Sequence, residues 1–182
     1  MKEDIVIFHG LGCDKTDVWI PWLAEKLRAK GHKVWTPSMP NTEMPRLEEW
    51  LEVAEHVLAE TTGPLILIGH SLGGILILNL LANNWQARLQ KAYLFGAPAY
   101  TKPYTPDFHD EQPDWEAIRQ NPAFAENPKK LNIVWSQDDD CVFEDHFQIM
   151  QAELPTAKFH RLNGYNHFRD LTNPWLAGEL NI

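Results

Sequence analysis

Residues 65–82 read LILIGHSLGGILILNLLA, a stretch without one Asp, Glu, Lys or Arg. No surface satisfies such a segment, because the short runs on either side of its central turn are apolar. Its first part, Leu65 to Gly69, is a short continuous apolar run. That pattern belongs to a strand covered on both faces, as in a parallel sheet. Its second part, Leu72 to Ala82, is too long for an ordinary strand and reads as a buried helix. Between them stands Gly69-His70-Ser71-Leu72-Gly73-Gly74. The chain must therefore pass from a buried strand to a buried helix through a glycine-flanked turn, which demands helices packed over both sheet faces.

The remaining chain repeats this alternation. Strands are expected at residues 5–8, 33–36, 92–95, 133–135 and 158–162, besides 65–69. Helices are expected at residues 17–30, 46–60, 72–82, 144–153 and 169–180. The helix at 46–60 is the clearest: Leu47, Trp50, Leu51, Ala54, Val57 and Leu58 share one face, with polar residues opposite. The reading is an α/β fold, a mostly parallel sheet of about six strands with helices on both faces. The 182 residues suit one domain, residues 1–182. The exception to the alternation is residues 97–128, with six prolines and little periodicity outside 114–121. So long a connection is expected to serve the function or to be disordered. It leaves the carboxyl end of a strand, so it is expected at the mouth of any site there. Trp115 and Ile118, three apart on a short helix, are expected to turn inward as substrate-pocket residues, the alternative being that they pack on a neighbouring helix away from the site.

The formal net charge is -9. A negative surface repels phosphates and anionic lipid heads, which argues against nucleic-acid and membrane-surface partners. Only two cysteines occur, Cys13 and Cys141, and neither belongs to a metal-type pair. Both are expected as free thiols in a reducing compartment. The N-terminal MKEDIVIF lacks the basic and long apolar regions of a secretory signal, and no apolar run approaches the ~18 residues of a membrane span. The expected location is cytoplasmic.

Gly69-His70-Ser71-Leu72-Gly73 fits G-x-S-x-G, in which the serine sits on a sharp strand-to-helix turn. The flanking glycines let strand and helix approach, and the turn lifts the hydroxyl clear of the sheet. The Leu72 N–H, at a helix start, is placed to stabilise an oxyanion. A serine hydroxyl needs a base. On this strand–turn–helix arrangement the expected chain order is Ser, then Asp or Glu, then His. Asp138, Asp139 and Asp140 follow one late strand, and His167 follows the last. Of the acids, Asp139 is favoured. Of eight histidines, His167 alone lies in a glycine-containing turn after the final strand. His70 should point away from the hydroxyl on so tight a turn, and His9 reads as structural. His32, His56 and His146 read as surface residues, His109 falls in the proline-rich excursion, and His160 lies inside a strand. A second oxyanion donor is expected from His9-Gly10-Leu11-Gly12, with the Leu11 N–H as the choice.

With these residues placed, the chain resembles the α/β-hydrolases. More narrowly, it is similar to the small serine hydrolases typified by retinoblastoma-binding protein nine and bacterial YdeN-like proteins. IVIFHGLG followed by VWIPWL, LIGHSLGG, FGAPAY, QPDWEAI, SQDDDCV and NGYNHF carry the resemblance, over nearly the whole chain. It implies no large lid domain. It also implies an orienting Asp three residues before a Val, as Asp139 precedes Val142. Phe143 stands where a Pro usually follows that Val. The binding stretch L-x-C-x-E of the namesake is not matched, since Lys15 occupies its last position.

The expected activity is a serine hydrolase acting on carboxylic esters or a related acyl bond of a small-molecule substrate. Its expected residues are Ser71, His167 and Asp139, with no cofactor and no metal. The alternative is a protein-binding module on a hydrolase fold, with vestigial catalysis and a partner the sequence does not identify.

Overall fold

A computed structural model describes residues 2–83, 88–101 and 113–182. The uncharged segment lies at its centre. Strands β1 (Asp4–Phe8), β2 (Lys33–Trp35), β3 (Leu65–His70), β4 (Leu89–Phe95), β5 (Leu131–Ser136) and β6 (Lys158–Leu162) form one sheet in the order β2-β1-β3-β4-β5-β6. Every neighbouring pair is parallel, with Phe8 opposite Gly69 and His70 opposite Phe95. The helices are α1 (Ile20–Ala29), α2 (Leu47–Ala59), α3 (Leu72–Ala82), α4 (Trp115–Gln120), α5 (Pro122–Glu126), α6 (Glu144–Glu153) and α7 (Pro174–Glu179).

Alternate strand residues feed two separate cores. Val6, Phe8, Leu65, Leu67, Leu94 and Trp135 pack with α2, α3, α4 and α6. Ile5, Ile7, Ile66, Ile68, Tyr93 and Phe95 pack with α1 and α7 on the other face. The central strands are apolar at successive positions because both of their faces are covered. Helix α3 is buried from Leu72 to Leu81. Each of its large aliphatic side chains contributes about 1.5–3 kcal/mol of transfer free energy. No helix among the described residues is long and apolar enough to cross a membrane.

Several boundaries differ from those read in the sequence. Helix α1 starts at Ile20 rather than residue 17, because Pro21 belongs in a first helical turn. Helix α7 starts at Pro174, capped by the Asn173 side chain, which accepts the Leu176 N–H. Residues 169–172 are thereby left to the loop. The expected excursion is described only at residues 97–101 and 113–128; residues 102–112 lie outside the described part, and the expected cover there with them.

Trp115 and Ile118 are corrected by the structure. Trp115 is 7% exposed and Ile118 is 0% exposed, both in the core with α3, and neither lines the cavity that holds Ser71. The Asn121 amide donates to the Leu81 carbonyl at 2.8 Å, which ties the end of α4 to the end of α3. Once α4 lies on α3, its apolar face is spent on that apolar helix.

The topology also locates the site. The chain leaves β1 toward β2 through α1 on one face, and leaves β3 toward β4 through α3 on the other. Connections that depart to opposite faces from adjacent parallel strands open a crevice beyond their carboxyl ends. The loops after β1 and β3 border that crevice.

Candidate active site

Ser71 occupies the turn between β3 and α3 with φ 53° and ψ -118°. Such a conformation costs a non-glycine residue about 1–3 kcal/mol and persists only where its surroundings impose it. Here they do. A Cβ on Gly69 would lie 2.4 Å from the Gly73 carbonyl oxygen, and one on Gly73 would lie 2.5 Å from the Phe8 carbonyl oxygen. The Ser71 N–H donates to the Phe95 carbonyl at 2.8 Å. Strand, helix and neighbouring strands are thus too close for any other path.

The two expected oxyanion donors flank this serine. A Cβ on Gly10 would lie 2.8 Å from Ser71 Cβ, so the loop after β1 runs against the turn. Leu11 and Leu72 both line the cavity at Ser71. Neither backbone N–H donates to another described group. His9 fixes the first loop: its Nε2 accepts the Met39 N–H at 2.9 Å and its Nδ1 donates to the Gly10 carbonyl at 3.0 Å. Burial lowers the His9 pKa, which keeps this ring neutral.

Of the three adjacent acids, only Asp139 reaches His167, with its two oxygens 3.0 and 2.9 Å from Nδ1. Asp139 Oδ1 also accepts the N–H groups of Cys141 and Val142 at 2.9 and 2.8 Å. Asp140 turns outward to Arg169 at 2.8 Å. Asp138 accepts from the Ser136 hydroxyl and from the Gly164 N–H at 2.9 Å, joining the loop after β5 to the loop after β6. Room for the Asp139–His167 pair comes from Gly96, at φ 52°. A Cβ there would lie 3.0 Å from His167 Nδ1 and 3.1 Å from Asp139 Oδ2.

The loop carrying His167 is held from several sides. His70 does point away from Ser71, and its Nε2 donates to the His167 carbonyl at 2.8 Å. Trp19 Nε1 donates to the Phe168 carbonyl at 3.1 Å. Burial, then the neighbouring His167, lowers the His70 pKa to about 3, so its ring is a neutral tether. These roles of His70, Trp19, Asp138 and Gly96 have no sequence signal, because each partner lies on a different loop. His146 departs further from expectation. It is buried, lines the cavity and is no surface residue.

The cavity has a volume of about 510 Å³, within the usual range for small-molecule sites. Ser71 and His167 both open onto it. No hydrogen bond joins them among the described residues; in substrate-free enzymes that contact is often long and tightens on binding. Leu11, Cys13 and Val18 line the cavity on the β1 side, and Tyr100, Val142 and His146 on the β4–β5 side. Cys13 and Cys141 are free thiols, both at this cavity, and burial raises the pKa of each. Among the described residues, no group of three His, Cys, Asp or Glu side chains is placed to hold a metal.

Known proteins share this fold. The chain is 29% identical to YdeN of Bacillus subtilis (strain 168) over 174 residues, 93% of this chain and 88% of that protein. The crystal structure of the B. subtilis ydeN gene product superposes with a TM-score of 0.82 at 24% identity, covering 100% of this chain and 97% of that one. The monoacylglycerol lipase of Paleococcus ferrophilus superposes with a TM-score of 0.67 at 15% identity, covering 97% and 90%. The fold is that of the α/β-hydrolases, and the similarity to YdeN-like proteins expected from the motifs is met. The sequence profile of the serine hydrolases matches residues 5–171, from the first strand to just past His167, and the chain belongs to that family.

Proposed function

We propose that this hydrolase cleaves carboxylic esters, or a related acyl bond of a small molecule, through Ser71, His167 and Asp139. One observation carries the reading. A strained serine, two N–H groups without partners among the described residues and a histidine held by a buried carboxylate all meet at one cavity. A binding module has no use for that combination.

His167 Nε2 takes the Ser71 proton as Oγ attacks the substrate carbonyl. Asp139 keeps the remaining imidazole proton on Nδ1 and stabilises the imidazolium that forms. The Leu11 and Leu72 N–H groups stabilise the oxyanion. The tetrahedral intermediate collapses, and His167 returns the proton to the departing oxygen. Water, deprotonated by the same ring, then attacks the acyl-Ser71 ester and releases the acid. The chemistry requires no cofactor. That a structural neighbour is a monoacylglycerol lipase supports esters as the substrate class.

A fluorophosphonate probe tests the reading together with p-nitrophenyl esters of graded chain length. The wild-type chain should label at one serine and turn over the esters, and Ser71→Ala should do neither while keeping its far-UV circular dichroism. Labelling that survives in Ser71→Ala would refute the nucleophile. No labelling of the wild type would favour the binding module.

A further inference from the structure

The β4–β5 wall of the cavity holds a polar group that the proposed chemistry does not use. His146, the third residue of α6, is 3% exposed and lines the cavity. Its Nδ1 accepts the N–H of Ala99, just beyond β4, at 3.1 Å. Its ring stacks on Tyr100 with centroids 4.2 Å apart and planes at 36°. The Tyr100 hydroxyl in turn donates to Asp145 Oδ2 at 2.8 Å. These contacts set the position, plane and tautomer of the ring. A nitrogen that accepts an N–H carries no proton, so the proton of the neutral imidazole is on Nε2. That Nε2–H makes no hydrogen bond to another described group. Nor is it sealed away, for among the described residues the buried side-chain polar atoms without partners are His70 Nδ1 and Asn173 Nδ2. The ring lines the cavity, and Nε2 is the nitrogen that no described group takes up. Burial lowers the His146 pKa against the opposing charges of Asp145 and Asp139. The group is therefore a neutral donor rather than a cation.

We propose that His146 is a specificity residue whose Nε2–H donates to an oxygen of the substrate away from the scissile carbonyl. The site then selects esters that carry an ether, keto or hydroxyl oxygen in the acyl or alcohol part over purely hydrocarbon esters. This inference rests on the hydrolase reading above. A hydrocarbon chain at this wall would cover a donor without pairing it, and that cost is the source of the discrimination.

Matched esters that exchange one CH2 for O test it. Two pairs vary the acyl part: p-nitrophenyl methoxyacetate against butyrate, and 3-methoxypropionate against pentanoate. A third varies the alcohol: 2-methoxyethyl butyrate against butyl butyrate. Each kcat/KM is divided by the rate of hydroxide-catalysed hydrolysis of the same ester. The wild type should favour the oxygenated member of at least one pair by roughly tenfold, and the pair that responds tells acyl from alcohol recognition. Two variants separate donor from scaffold. His146→Asn keeps an acceptor near Nδ1 for the Ala99 N–H but has no donor at the Nε2 position. His146→Gln carries an amide donor to that position and lacks the acceptor. The preference should vanish in His146→Asn and persist in His146→Gln. A merely structural role predicts the reverse damage, and either variant alone suffices should the other fail to fold. Equal rates within all three pairs, in a protein whose Ser71 still labels, would overturn this inference and leave the hydrolase reading standing. A preference kept in His146→Asn would overturn it as well. Absence of both labelling and turnover would remove the two together.

Discussion

Lowering the pH from 7 to 5 should weaken the fold measurably through His70 alone. In the unfolded chain this ring titrates near the ordinary histidine value of about 6.5. In the folded protein it is fully buried, and its pKa is lowered to about 3. The folded value lies below the unfolded one, so the unfolded state binds the proton first. Stability is whole above about pH 6.5, declines as pH falls from there toward 3, and levels off below. At pH 5 the unfolded ring is almost fully protonated while the folded ring is almost bare. At about 1.36 kcal/mol per pH unit, the 1.5 units below 6.5 amount to about 2 kcal/mol, or about 4–8 °C in Tm for a chain of this size. Burial also lowers the pKa of His9, His146 and His160, so the total loss in the wild type exceeds this figure. His70→Gln isolates the share of His70, because its amide still reaches toward the His167 carbonyl but does not titrate. Urea denaturation at pH 7 and pH 5 should show a loss about 2 kcal/mol smaller in His70→Gln than in the wild type. Equal losses in the two proteins would refute the argument. His70→Leu should show the same reduced acid sensitivity but leave the His167 carbonyl unpaired. Its kcat should therefore fall below that of His70→Gln.

Asp139→Asn should lower kcat for p-nitrophenyl acetate by about 10⁴, because the amide favours the wrong histidine tautomer. Asp140→Asn, whose exposed carboxylate turns outward to Arg169, should stay within a few-fold. Gly96→Ala forces a Cβ to 3.0 Å from His167 Nδ1 at φ 52°. It should cost about 1–2 kcal/mol in urea denaturation and about 10²-fold in kcat through displacement of the Asp139–His167 pair. Trp115→Ala should destabilise by about 3–5 kcal/mol in the same denaturation assay, with an unchanged preference among ester chain lengths.

What the sequence determined by itself was local. Uncharged runs buried on both faces implied a parallel sheet between two helical layers. G-x-S-x-G singled out Ser71, because a strand–turn–helix of that tightness is written in consecutive residues. Helix α3 and strand β6 matched their expected limits, since apolar patterning and turn residues suffice to place such elements. The tertiary structure decided whatever depends on where distant loops meet. Asp138, Asp139 and Asp140 are chemically alike and adjacent; the path of the loop after β5 turns one toward His167, one toward Gly164 and one toward Arg169. His146 read as a surface residue, because α6 shows little apolar patterning around it, yet Ala99 and Tyr100 from the loop after β4 enclose it. Trp115 and Ile118 were expected at the pocket from spacing alone, but spacing shows only that two side chains share a helix face. Which surface that face covers is settled by the largest apolar area within reach, and for α4 that area is α3.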